Sequence, residues 1–213
     1  MGGAKAVLVS WLAMSALCAT GVAGAQEAPA AEAPTPPPAA TVDVVLHTAM
    51  GDIRIALEKD RAPITTANFL HYVDQKRFDN ITFYRGVKVS EDGSYGLLQG
   101  GLKGNPKLVF KPIAHESTNA TGLSHLDGTI SMARTDPGTA KADFFIVIGD
   151  LISLDAKLDD SDPGYAAFGK VTMGMDLVRR MLNLPRSTDA GDGSMKGQML
   201  AEPVKILSVR RAQ

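Results

Sequence analysis

The chain predicts a mostly β domain with two helices. Three observations lead there: short apolar runs separated by glycine, proline and asparagine, one hairpin near the start, and only two stretches with a helical period. The hairpin comes first. Val42-Asp43-Val44-Val45-Leu46 and Ile53-Arg54-Ile55-Ala56-Leu57 are β-rich, the second alternates, and Ala49-Met50-Gly51-Asp52 is the turn between them. The first helix covers Ala62 to Val73. Pro63 suits its first position, where a missing N–H costs nothing, and Thr66, Phe69, Leu70 and Val73 fall on one face. Lys76 and Arg77 lie near its end, where cations suit the dipole. Six short runs follow as strands: Thr82–Tyr84, Tyr95–Gln99, Leu108–Phe110, Thr129–Ala133, Phe144–Ile148 and Ala166–Val171. A second helix over Met173–Leu184 places Met175, Val178, Met181 and Leu182 together, and Pro185 stops it. Arg186–Gln198 is a polar, glycine-rich loop, and Val204–Arg210 is a last strand that pairs near the first. A sandwich and a closed barrel satisfy this pattern equally.

The 213 residues suffice for one sizeable domain with short appendages, and 45% apolar with 21% charged residues is ordinary for a globular chain. A formal charge of −1 offers no field to hold nucleic acid; Arg179-Arg180 and Arg210-Arg211 are isolated pairs that read as solvated surface. Residues 1–25 have the make-up of a secretory signal: Lys5, an apolar Ala6–Leu17, and the small-x-small site Ala23-Gly24-Ala25. That run is too short to span a bilayer comfortably. The only cysteine, Cys18, lies within it, and Leu17 before it argues against lipid attachment, which needs a small residue there. A mature chain starting at Gln26 would contain no thiol. Residues 26–41 are nearly all Ala, Pro, Glu and Thr and read as a flexible tether, leaving 42–213 as the domain. The expected location is periplasmic or secreted, and nothing in the pattern demands more than a monomer.

Few residues carry chemistry. Arg85 follows an apolar run and is either an outward charge or a fixed donor aimed at a carbonyl or amide. Gln99 precedes Gly100-Gly101, which would let another backbone approach closely. Phe144 and Phe145 point to opposite faces of a strand, so only one can join the core; the other needs another apolar partner or a ligand. The four histidines, His47, His71, His115 and His125, show no zinc spacing. The acidic turn Asp159–Gly164 lacks the later glutamate of a calcium loop, and Ser124 lacks the second glycine of a nucleophile elbow.

Taken in order, Val42 to Arg210 resembles the cyclophilins, the β-barrel peptidyl-prolyl cis-trans isomerases. The resemblance rests on Pro-Ile-Thr-Thr-Ala-Asn-Phe, Phe83-Tyr84-Arg85, Gln99-Gly100-Gly101, Gly128-Thr129-Ile130-Ser131-Met132-Ala133-Arg134, Phe144-Phe145-Ile146, Leu154-Asp155, Phe168-Gly169-Lys170-Val171 and Gly174-Met175-Asp176. It implies a closed antiparallel β-barrel capped by two α-helices, no cofactor, and proline-containing polypeptides as partners. It also implies roles: Arg85 as catalytic donor, Gln99 binding a substrate carbonyl, Phe145 as the floor of a proline pocket with Leu97 and Leu154 as walls, and Ala133 and Arg134 on the strand that pairs with the peptide.

The chain departs from the family pattern around that pocket. Asp143 stands where a glutamine is usual, Gly96 where an aromatic is, Ser153 where a tryptophan is, and Tyr165 where a histidine often is. Thirteen residues separate Arg85 from Gln99, about twice the usual interval, so Val87–Ser94 should form an extra surface loop beside the groove. The departures touch the pocket more than the donor. They imply an isomerase of reduced activity, weakened binding of cyclosporin-type inhibitors, and as the alternative a peptide-binding module or chaperone that kept the groove without efficient catalysis.

Overall fold

Every strand of the sheet has a neighbour on both sides, which settles the choice between sandwich and barrel. The structure, a computed structural model, describes residues 39–159 and 161–212. The leader and residues 26–38 of the tether lie outside the described residues. The elements are β1 (Thr41–Thr48), β2 (Gly51–Glu58), α1 (Pro63–Asp74), β3 (Ile81–Lys88), β4 (Gly96–Gly101), a one-turn α2 (Thr118–Thr121), β5 (Thr129–Met132), β6 (Phe144–Ile148), β7 (Ala167–Met173), α3 (Met175–Leu182) and β8 (Met199–Arg211). Short 3-10 turns cover Ile152–Leu154 and Gly193–Met195. The strands close in the order β1-β2-β7-β5-β6-β4-β3-β8, and all pairs are antiparallel.

Alternation along the strands fills the barrel. Val44 and Leu46, Ile53, Ile55 and Leu57, Phe83, Leu98, Ile130, Phe144 with Ile146 and Ile148, and Phe168 are all fully buried in one cluster. The predicted hairpin forms with Thr48 paired to Gly51, so Ala49 and Met50 alone make the turn. Gly51 has φ 128 and the Thr48 hydroxyl donates to its carbonyl at 2.6 Å. α1 starts at Pro63 as expected and buries Thr66, Phe69, Leu70 and Val73, with Thr65 and Tyr72 added. It follows the Glu58 end of β2, while α3 lies at the Gly51 end, where Leu177 approaches Gly51.

Three sequence readings change. Leu108–Phe110 is not a strand. Its amides turn back on Asn105, and Phe110 lies against Tyr72 with ring centroids 4.6 Å apart while its N–H donates to the Tyr72 hydroxyl at 2.7 Å. Leu108 is exposed while the adjacent Val109 and Phe110 both pack on the core, and a three-residue apolar run is too short for periodicity to tell such a strap from a strand. The second helix begins at Met175 rather than Met173 because β7 runs through Met173 and Gly174, at φ 93, makes the corner. The arginine pairs are surface groups as expected, yet each finds a carboxylate: Arg179 with Asp127, Arg180 with Asp176, Arg210 with Asp79 and Arg211 with Asp74. No helix among the described residues is long and apolar enough to cross a membrane.

Phe69 is the hinge of the packing, with its ring 5.0 Å from Phe78, 5.5 Å from Phe144 and 5.4 Å from Phe168. Phe69→Ala should remove about 3–5 kcal/mol of stability through the cavity it leaves. Urea unfolding should show a lower midpoint with an unchanged slope; a midpoint within error of wild type would show that the core is not organised around this ring.

Candidate functional site

A second, smaller apolar cluster lies on the outer face of the barrel. It contains buried Phe145, Val147 and Leu151, with Leu97, Ala133, Leu154 and Tyr165 packed on it. The two adjacent phenylalanines divide as alternation requires: Phe144 is in the barrel core, and Phe145 turns outward. Phe145 is nevertheless only 3% exposed. The Tyr165 ring meets it edge-on at 5.5 Å, and the His125 ring stacks with it at 6.1 Å and 16°.

Register aligns the polar residues with this notch. Arg85 of β3 pairs with Gln99 of β4, Gln99 with Phe145 of β6, and Phe145 with Ser131 of β5. Residues directly opposite share a face, and neighbouring strands are about 4.8 Å apart. A guanidinium, an amide and an aromatic floor therefore lie side by side. A β-bulge refines the arrangement. The β3–β4 register slips between Phe83 and Arg85, leaving Tyr84 as the extra residue. Tyr84 and Arg85 then both serve Gln99: Arg85 Nη1 donates to Gln99 Oε1 at 2.8 Å, and Gln99 Nε2 donates to the Tyr84 hydroxyl at 2.8 Å. Tyr84 passes the chain on to Asp143 Oδ1 at 3.0 Å. Gln99 is 7% exposed, so its amide is held on both sides. Burial, with the Asp143 carboxylate behind it, pushes the Tyr84 hydroxyl well above its ordinary range, so it stays protonated and donates. Burial also pulls the Arg85 guanidinium below its usual value.

The structure places the remaining predicted residues as follows. Leu97 and Leu154 pack on the Phe145 cluster, as does Ala133. The Ala133 N–H donates to Asp143 O at 2.9 Å, so only its carbonyl is left for a further strand. Arg134 does not extend from that strand. It folds over the Tyr165 ring, 4.7 Å from the centroid, and donates to the Gly164 carbonyl. Asp143 brings a charge, as its position implied, but the charge is turned aside: Oδ1 also accepts the Lys103 N–H at 2.9 Å. Gly101 makes room for it, since a Cβ there would lie 2.5 Å from Asp143 Oδ1 at a φ of 138. The missing aromatic at Gly96 has a steric cause as well. A Cβ there would lie 2.3 Å from the Val87 carbonyl oxygen, and Tyr95 is 45% exposed beside it. Lengthening the hairpin runs β3 as far as Lys88, and the Val89–Tyr95 connection is tied by Ser90, Asp92 and Ser94.

Sequence reasoning missed three members. Gln198 reaches Arg85 from the end of the segment read only as a polar, glycine-rich loop, with Oε1 2.8 Å from Nε and 2.6 Å from Nη2. Tyr84 was hidden by the bulge, which no periodicity reveals. His125 is fully buried; its Nδ1 is 2.5 Å from Asp155 Oδ1 and its Nε2 is 2.9 Å from the Ser131 hydroxyl. Ser124 also donates to Asp155, so both serines and the histidine brace the turn carrying Leu154. Ser131 is fully buried beneath the notch and has no access for a substrate.

Burial holds the His125 imidazole below its ordinary pKa, against the opposing pull of Asp155. A depressed histidine favours the neutral form in the fold, so its contribution is complete above the unfolded value of about 6.5 and is lost as pH falls through the folded one. His125→Asn should lower stability by about 1–3 kcal/mol at neutral pH through its unmet partners. The gap between variant and wild type should narrow from pH 7 to pH 5 in urea titrations; a constant gap would mean that His125 does not titrate with unfolding.

Comparison with known proteins agrees with this geometry. Residues 42–211 match the family described as cyclophilin type peptidyl-prolyl cis-trans isomerase/CLD. A peptidyl-prolyl cis-trans isomerase of Acinetobacter baylyi is 36% identical over 170 residues, 78% of this chain and 84% of that one. Peptidyl-prolyl cis-trans isomerase B of Escherichia coli is 34% identical over 170 residues, 78% of this chain and 97% of that one. A solved Cryptosporidium parvum cyclophilin type peptidyl-prolyl cis-trans isomerase, crystallised in the presence of the dipeptide Ala-Pro, shares the fold with a TM-score of 0.64 at 22% identity, covering 80% of this chain and 99% of that one.

Proposed function

The chain belongs to the cyclophilin-type peptidyl-prolyl cis-trans isomerase family, and from that premise we propose that it accelerates X-Pro rotation in polypeptides folding outside the cytoplasm, with Arg85 as donor and Phe145 as floor. The row Arg85–Gln99–Phe145 carries this reading. An X-Pro bond rotates slowly because amide resonance is lost at a barrier near ~20 kcal/mol. As the bond twists, the proline nitrogen regains its lone pair. A guanidinium held beside the ring can donate to that nitrogen, a contact that exists only in the twisted state and so lowers the barrier without tightening ground-state binding. The proline ring would rest on Phe145 between Leu97 and Leu154. The Gln99 amide has one N–H beyond its bond to Tyr84 and would hold the neighbouring carbonyl. No covalent step or cofactor enters.

The half-buried setting of Arg85 favours this role, because a donor shielded from water acts in a lower dielectric. A second reading, a peptide-binding module with little catalysis, is favoured by Ser153. It is exposed in the Ile152–Leu154 turn, so the notch is open on that side. Export is supported by the composition of residues 1–25, and the domain is taken as 42–213 behind the Ala/Pro-rich stretch.

Arg85→Ala should lower kcat/KM for a proline tetrapeptide by about 10²-fold while peptide affinity stays within a few-fold. Equal rates for the two proteins would defeat the role of Arg85, and saturable binding without any acceleration by wild type would select the second reading. Expressed at full length in a bacterial host, the chain should be recovered from the periplasm beginning at Gln26 by mass spectrometry. An intact chain confined to the cytoplasm would overturn export.

A further inference from the structure

We propose that Gln198 is a positioning residue for isomerisation: it fixes the Arg85 guanidinium so that its free N–H groups face the notch. This rests on the catalytic reading of Arg85. A guanidinium has five N–H donors. Gln198 Oε1 takes the one on Nε at 2.8 Å and one on Nη2 at 2.6 Å, and Gln99 Oε1 takes one on Nη1 at 2.8 Å. The Nε edge is thereby closed. One N–H on each terminal nitrogen is left. An arginine side chain otherwise spreads over many rotamers, and misplacing a reacting group by about 1 Å can cost 10²-fold in rate.

The fork is anchored at its base. The Gln198 carbonyl accepts the N–H of Gly86, the residue after Arg85, at 2.9 Å, and the Gln198 N–H donates to Met195 O at 3.0 Å. Arg186 ties the start of the same segment to β3 and α3, donating to Gly86 O at 2.7 Å and Leu182 O at 2.8 Å, and it pairs with Leu200 across a single bridge. The loop between α3 and β8 thus delivers one side chain to one face of Arg85, 113 residues away in sequence. The chemistry of the acceptor matters. A carboxylate in this place would pair with the cation and neutralise it. An amide oxygen orients the guanidinium and leaves its charge available to the proline nitrogen.

The test is a double-mutant cycle on the full chain, read by proline-tetrapeptide isomerisation and by calorimetric binding of the same peptide. Gln198→Met keeps the length and removes the acceptor. It should lower kcat about tenfold in the wild-type background, leave peptide affinity within twofold, and produce no further loss in the Arg85→Ala background. Equal loss in both backgrounds would mean a structural role and would overturn the proposal, as would a fall in affinity matching the fall in rate. Full activity of Gln198→Met beside a crippled Arg85→Ala would overturn it while leaving the Arg85 reading intact. An active Arg85→Ala would instead sink that reading, and this proposal with it. Should Gln198→Met not fold, Gln198→Asn withdraws the acceptor by one methylene and is held to the same outcomes.

Discussion

The side chains of the site come from segments far apart in the chain, and the hydrogen-bond register of the closed barrel brings them together. Three ladders fix the row: β3 on β4, β4 on β6 and β6 on β5. A slip of one residue in any of them would turn its members to the opposite face and carry Arg85, Gln99 or Phe145 into the core. Closure prevents such a slip, because every strand is held on both edges and each inner face is packed. The barrel interior therefore supports the site, although the site residues on the outer face hardly touch it.

The register shifts at several points around the barrel, and two local departures from plain alternation fall at the site. The bulge at Tyr84 gives Gln99 two partners from adjacent residues of one strand. Gly101, at φ 138, lets Asp143 approach the end of β4, where a Cβ would collide with it. Together they complete a polar chain from Gln198 through Arg85, Gln99 and Tyr84 to Asp143. Buried amides and hydroxyls are costly unless paired, and here the Gln99 amide and the Tyr84 hydroxyl are each paired on two sides, which also restrains their rotation. Asp143 is read differently in this light. The carboxylate replaces an expected amide at the groove, but it is committed to Tyr84 and Lys103, so it supports the donor side of the site and adds little charge to the notch.

The notch has its own support beneath it. His125 lies flat under Phe145, linked to Asp155 and Ser131, and Ser124 shares the same carboxylate. These bonds connect β5 to the turn carrying Leu154. The floor and one wall of the notch are thus joined by hydrogen bonds instead of by the main core. Arg85 and Phe145 are thus held by two separate polar systems, one on each side of the Gln99–Phe145 pair.

Much of this was legible in the residues. Alternation in Phe144-Phe145 required one ring to leave the core, Pro63 and the spacing through Val73 defined α1, and family order in Phe-Tyr-Arg, Gln-Gly-Gly and Leu-Asp indicated Arg85, Gln99, Phe145 and Leu154. Those features are local, because periods of 2 and 3.6 and the conformational limits of proline act within a few residues. Leu108–Phe110 misled because a three-residue apolar run is too short to show a period, and here two consecutive side chains pack inward. Gln198, His125 and the fate of Asp143 could not be read at all. Each is an isolated polar residue whose meaning comes from a partner up to 113 residues away, and only closure of the barrel sets those distances.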